Sequence, residues 1–155
     1  MIRIGASMIL AAASIAVASP AMSEPAIWSA PEAQAAIADD GALLLDIRTP
    51  GEWAQTGLAE GAFPVDMQSA DFGAQLSAVF ERAGDRPIAL ICATGGRTAY
   101  VVSVLKRNGI EGVIDVSEGM LGNGRAQGWV ARGLPVVTEA EARADYEAFL
   151  SKGAD

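Results

Sequence analysis

Two short runs, 42–47 (ALLLDI) and 87–92 (PIALIC), are apolar almost throughout and too short to be core helices. A strand with one wet face alternates apolar and polar side chains. A run without that alternation has to be covered on both faces, the condition of a strand inside a parallel sheet. Residues 112–116 (GVIDV) repeat the pattern and 62–67 read as a further short strand. Between them lie helical stretches. Residues 71–83 place Phe72, Leu76, Val79 and Phe80 at helical spacing, and 96–108 end on Lys106 and Arg107 before the stop at Gly109. Residues 31–39 open on Pro31 and Glu32 and close at Gly41, and Thr49 can cap a short helix that begins at Pro50 and runs through Glu52 and Trp53. Thr138 and Glu141 stand at capping-box spacing before an acidic amphipathic helix over 138–150. Strands alternating with helices predict an α/β fold, a single domain with a central, mostly parallel sheet flanked by helices.

Composition removes several functions. The chain of 155 residues suits one domain, and its 19 acids against 11 bases give a net charge of −8, which argues against a nucleic-acid partner. It has no His and one Cys, so neither a zinc site nor a Ser-His-Asp triad can be assembled from it. No metal and no organic cofactor is called for.

Residues 1–23 read as a secretory signal peptide. Arg3 supplies the positive start, 8–17 (MILAAASIAV) the apolar stretch, and Ala21 and Ser23 the small residues before a cut at Glu24. The apolar stretch is shorter than the roughly 20 residues of a membrane span. The expected product is residues 24–155, soluble after leader removal and periplasmic or secreted. In an oxidising compartment paired cysteines form disulfides, but a lone Cys92 stays a free thiol and invites a functional reading. The bland alternative is a small buried apolar residue.

The neighbours of Cys92 bear on that choice. The segment Cys92-Ala93-Thr94-Gly95-Gly96-Arg97-Thr98 runs from a buried strand into an amphipathic helix. Ligands of open α/β sheets bind beyond the carboxyl ends of the strands, where this loop falls. Gly95 and Gly96 let the backbone curl so that successive N–H groups face one point, the helix start adds partial positive charge, and Arg97 adds a cation. Such a cradle favours a Cys92 thiolate without any His. A plain turn at the end of a core strand needs the glycines but not the arginine.

The spacing from Cys92 to Arg97, C-x4-R, resembles the active-site loop of rhodanese-type sulfurtransferases. Three further segments resemble that family in the same order: residues 44–53 (LLDIRTPGEW), Gly61-Ala62-Phe63, and Glu118-Gly119-Met120 followed by Gly128-Trp129 and Gly133-Leu134-Pro135-Val136. The resemblance covers about residues 30–137. It implies that a small anionic sulfur donor such as thiosulfate gives its outer sulfur to Cys92, and that cyanide, a thiol or a protein acceptor removes it from the persulfide. It also implies that the amides of 93–97 hold the terminal sulfur. Arg97 then either binds the donor or fixes the loop through a carboxylate. Asp46 and Arg48 fall near the loop, as pocket residues or as an ion pair buried for packing.

The sequence departs from that family in three places. Gly57-Leu58-Ala59 lacks the histidine usual after the short helix. Ala93 stands where thiosulfate-using members often carry a basic residue. The segment 119–128 is longer than usual and glycine-rich, readable as a lid over the site or, more plainly, as a solvated loop. Two rival functions are a Cys-based phosphatase or arsenate reductase, which resembles C-x5-R and so needs one more residue, and a non-enzymatic sulfur-carrier or docking module. Trp28, Trp53 and Trp129 read as core or pocket wall. The stripe Ala142, Tyr146, Phe149 and Leu150 of the last helix can dock on the domain or on a partner.

Overall fold

A computed structural model describes residues 26–152. The signal-peptide reading of residues 1–23 lies outside them. In chain order the elements are β1 (Ile27–Trp28), α1 (Ala30–Asp40), β2 (Leu43–Asp46), α2 (Pro50–Thr56), β3 (Leu58–Ala59), β4 (Ala62–Pro64) and α3 (Phe72–Ala83). There follow β5 (Ile88–Ile91), α4 (Gly96–Arg107), β6 (Val113–Val116), α5 (Gly128–Ala131), β7 (Val136–Val137) and α6 (Glu139–Ser151). None of the helices described is long and apolar enough to cross a membrane.

Local chemistry sets the helix starts. The Ser29 hydroxyl accepts from the Glu32 N–H while the Glu32 carboxylate takes the Ser29 N–H, and Thr138 and Glu141 repeat the exchange on α6. At α2 the Thr49 N–H and hydroxyl both donate to Glu52 Oε2.

The unbroken apolar runs pair as their lack of alternation requires. The main sheet has five parallel strands in the order β1-β6-β5-β2-β4. Leu43, Leu45, Ile88 and Leu90 face one way, into a core closed by Leu76, Val79, Val101 and Tyr146 from α3, α4 and α6. Leu44, Ala89 and Ile91 face the other way, against Ala30 and Ala33 of α1 and Trp129 of α5. Both faces are dry, and hydrophobic burial on two sides of one sheet is the main favourable contribution to this fold.

Three short strands escape the sequence reading. The strands β1, β3 and β7 have two residues each, too few for any periodicity, and exist because β1 pairs with β6 and β3 pairs antiparallel with β7. The strand predicted over 62–67 is shorter, ending at Pro64. The Val65 N–H still bonds Asp46 O, but the next bond runs from Met67 N–H to Ile47 O instead of Arg48 O, one residue out of step, and the ladder stops. The stripe on α6 docks on its own domain: the Phe63 ring lies 5.3 Å from Tyr146 and 4.9 Å from Phe149. Trp53 and Trp129 are core residues.

One feature of the topology positions the site. From β2 the chain crosses to β4 on one side, and from β5 it crosses to β6 on the other. The strands β2 and β5 are adjacent, with Asp46 opposite Ile91. Their carboxyl ends therefore form a switch point, where diverging connections leave a crevice. Cys92 follows β5 and Arg48 follows β2 at this end of the sheet.

Candidate functional site

Cys92 continues the β5 direction into the core face and is fully buried. Its Sγ accepts the Gly95 N–H at 3.2 Å and lies 3.7 Å from the Thr98 hydroxyl, which donates to Gly95 O at 2.8 Å. Gly95 takes φ 90°, a left-handed conformation that turns its N–H back toward the sulfur. A Cβ there would stand 2.1 Å from Ser117 O. Gly96 has no positive φ and open space around it, so only one of the two glycines makes the curl that both were expected to share. Ala93 is half-buried and Thr94 exposed.

The loop rests on the chain after β6. Met120 N–H donates to Cys92 O and Leu121 N–H to Ala93 O, both at 2.8 Å. Gly119 makes that approach possible, since a Cβ on it would be 2.4 Å from Ala93 O. The Glu118 carboxylate takes Arg132 Nε and Nη2 at 2.7 and 2.8 Å and also the Gly128 N–H, which pins both ends of the 119–128 segment. Between the pins Asn123 orders the turn: its side-chain oxygen accepts from Arg125 and Ala126 N–H and its amide donates to Ser117 O.

Arg97, in the first turn of α4, is clamped by Glu52: Nη1 meets Oε2 at 2.8 Å and Nη2 meets Oε1 at 2.5 Å. These hydrogen bonds hold the Glu52 carboxyl down to about 2 against the opposing effect of burial, with help from Thr49. The same bonds raise Arg97 above its ordinary range, and charge on Glu52 and on the neighbouring Cys92 adds to them.

Asp46 and Arg48 form a buried ion pair. Nε reaches both Asp46 oxygens at 2.9 and 3.0 Å and Nη2 reaches Oδ2 at 2.7 Å. The rest of the guanidinium donates to Thr56 Oγ1 and Gly57 O at 2.8 Å each. Every edge of Arg48 is thus used to hold the far end of α2 against β2. Through α2 the pair sets Glu52, and through Glu52 it sets Arg97.

The sequence matches the rhodanese-like domain family over residues 29–123, well over half the chain. The chain belongs to the rhodanese-like domain family. It is similar to an uncharacterised protein of Rickettsia prowazekii, 25% identical over 105 residues that cover 64% of this chain and 85% of that one. Its fold is similar to the solution structure of the rhodanese-like domain of the Anabaena sp. protein Alr3790, with a TM-score of 0.57, 23% identity, and coverage of 78% of this chain and 84% of that one. It is likewise similar to the crystal structure of Rv0390 from M. tuberculosis, with a TM-score of 0.53, 24% identity, and coverage of 73% and 97%.

Two residues of this rhodanese-like domain were not singled out by the sequence. Glu52 was visible as the third residue of a capped helix, and its spacing from Thr49 was the available signal, but its partner lies 45 positions away. Asp115 on β6 is buried beneath α4, beside Thr98, and its Oδ1 has no partner. Burial pushes that carboxyl up. Thr98, whose hydroxyl lies 3.7 Å from the Cys92 sulfur, is thus also a neighbour of Asp115.

Proposed function

We propose that this rhodanese-like domain is a sulfurtransferase that carries sulfane sulfur on Cys92. The observation that supports it most is the focus of the loop on one sulfur atom: the Gly95 N–H bonds Sγ at 3.2 Å, beside the first turn of α4. In the first half-reaction the Cys92 thiolate attacks the outer sulfur of a donor such as thiosulfate. The S–S bond of the donor breaks, sulfite leaves with the electron pair, and Cys92 becomes a persulfide. In the second, cyanide or a thiolate attacks the terminal sulfur, taking it as thiocyanate or as a new persulfide and restoring the thiolate.

Loop amides and the start of α4 stabilise the terminal sulfur anion as an oxyanion hole stabilises oxygen. Because Cys92 has no exposed surface, the donor has to present a small terminal atom, and a divalent sulfur meets that need better than a tetrahedral phosphate. Arg97, held by Glu52, fixes the loop, and Asp46 and Arg48 act behind it as positioning residues. Residues 1–23 act as an export signal, so the working protein is periplasmic or secreted. Cleavage before Glu24 on export is the corresponding check.

The test is intact mass after exposure to a sulfane donor, before and after cyanide. The expected result is a gain of one sulfur atom that cyanide removes as thiocyanate, and its absence in a folded Cys92→Ser variant. A protein that takes up no sulfur from thiosulfate, hydropersulfide or polysulfide is not a sulfurtransferase.

A further inference from the structure

Asp115 is a buried acid that neither half-reaction uses. The other buried acids are paired, Asp46 with Arg48 and Glu118 with Arg132, but Asp115 forms no ion pair with a described residue. Its Oδ1 is buried without a hydrogen bond. A carboxylate so placed has neither water nor a cation to offset its charge, and taking up a proton removes the cost. The sequence has no His, the usual acceptor of a thiol proton, so the proton of Cys92 needs another destination.

The register of the sheet brings the two groups to one face. Asp115 on β6 is opposite Leu90 on β5, and Cys92 follows two residues after Leu90, where side-chain alternation returns to the same side. Val113 packs in the same cluster as Leu90 and Cys92, whereas Ile114 and Val116 pack in the other, so Asp115 shares the face of Cys92. Thr98 of α4, fully buried, covers that face, with its hydroxyl 3.7 Å from Sγ and Asp115 as its neighbour. The remaining surroundings of Asp115 are uncharged. Ile27 and Leu90 flank it in the sheet, and Val101 and Val102 follow Thr98 on α4. The charged groups of α4 are Arg97, held by Glu52, Arg107, bonded to Ser103, and Lys106, about two turns beyond Thr98. Tyr146, the other titratable group of the Cys92 cluster, packs on Phe63 of β4, at the far edge of the sheet from β6.

Resting on the sulfurtransferase reading, we infer that Asp115 is a positioning residue of the site: acting through the Thr98 hydroxyl it takes up the proton that Cys92 gives up, so that Cys92 and Asp115 share one negative charge. The S–H bond of Cys92 breaks as its proton passes to Thr98 Oγ1. The Thr98 hydroxyl, which donates to Gly95 O at rest, turns and passes its own proton to the Asp115 carboxylate. Thr98 ends as it began, Cys92 is a thiolate and Asp115 is a neutral acid. No electron changes hands. Once sulfur is loaded, the persulfide anion inherits the charge, and Asp115 stays neutral beneath it instead of repelling it. The proton returns to Cys92 when the thiol is restored.

The experiment is a pair of pH titrations, neither of which requires sulfur transfer. Ultraviolet absorbance follows the thiolate, which belongs to the single Cys of the chain, and infrared carbonyl absorption follows the protonated buried carboxyl. The expected result is a thiolate that forms in two coupled steps in the wild type and in one step in Asp115→Asn, about one pH unit or more below the upper step. In Cys92→Ser the carboxyl is expected to lose its proton at lower pH by a similar interval, because coupling between two sites is reciprocal. Thr98→Val should shrink both shifts and Thr98→Ser should restore them. A merely structural role for Asp115 moves neither titration. Thiolate formation that is the same in Asp115→Asn as in the wild type overturns the inference, and so do shifts that Thr98→Val leaves unchanged. If Asp115→Asn does not fold, the infrared titration of Cys92→Ser decides, and an unmoved carboxyl overturns the inference. A protein that loads sulfur but shows neither shift overturns this inference alone. One that shows both shifts but loads no sulfur from any sulfane donor overturns the reading beneath it.

Discussion

The Arg97 guanidinium lies edge to edge with the Glu52 carboxylate, Nη1 to Oε2 at 2.8 Å, joining the first turn of α4 to the first turn of α2. Both helices begin at strand ends beside the switch point, so this one pair ties the Cys loop to the other half of the crevice. Of the two expected roles of Arg97, donor binding and loop fixing, the second is the one proposed above, on the strength of its fork to Glu52.

The Glu52 pair predicts a pH dependence. Its carboxyl is held down to about 2 from an ordinary 4.5. The stability it contributes is therefore complete above the unfolded value and lost as pH falls from about 4.5 through about 2. Urea unfolding of Glu52→Gln at pH 7 is expected to show a deficit of about 2 kcal/mol, the usual worth of hydrogen bonds to a charged group. The deficit should shrink steadily in acid, and an equal deficit at pH 2 and pH 7 contradicts this account.

Arg48 is expected to be the costlier loss. Arg48→Met leaves Asp46 charged and buried without its partner, a penalty of about 3–5 kcal/mol in chemical unfolding. Adding Asp46→Leu removes the stranded charge and should recover at least half of it. If the double variant is no better than the single one, the cost lies in the lost bonds to Thr56 and Gly57 instead.

Asp115 predicts the opposite pH slope. Burial raises its carboxyl above the ordinary 3.8, and Oδ1 has no partner to offset the charge. The unfolded chain ionises first as pH rises, so stability falls from about pH 4 up through the folded value and stays lower above it. Asp115→Asn keeps the shape without the charge. It should melt at a higher temperature than wild type at pH 7 and match it below pH 4, and a lower melting temperature at pH 7 rules this out.

The two loop glycines should respond differently to a methyl group. Gly95→Ala forces a side chain into φ 90° and places its Cβ 2.1 Å from Ser117 O, so a loss of about 3 kcal/mol or more is expected. Gly96→Ala meets nothing within 4 Å and sits in the first turn of α4, where alanine should be neutral or stabilise by about 0.5 kcal/mol. Thermal melts of the two variants separate the outcomes.

Much of this was legible in the residues. Unbroken apolar runs at 42–47 and 87–92 required cover on both faces, which only a sheet between two helical layers supplies. The placement of Cys92 between a buried strand and a helix start followed from the same pattern, and capping residues Thr49 and Thr138 announced α2 and α6 because their partners lie three positions away. The tertiary structure alone decided what depends on partners distant in sequence. It gave β1, β3 and β7 their existence, the α6 stripe its surface, Arg97 its carboxylate at Glu52, and Thr98 its neighbour at Asp115. Local chemistry is carried by residues within a few positions of one another and can be read along the chain. The charge state of a site is a sum over side chains that meet only when the sheet is assembled, and no spacing rule contains it.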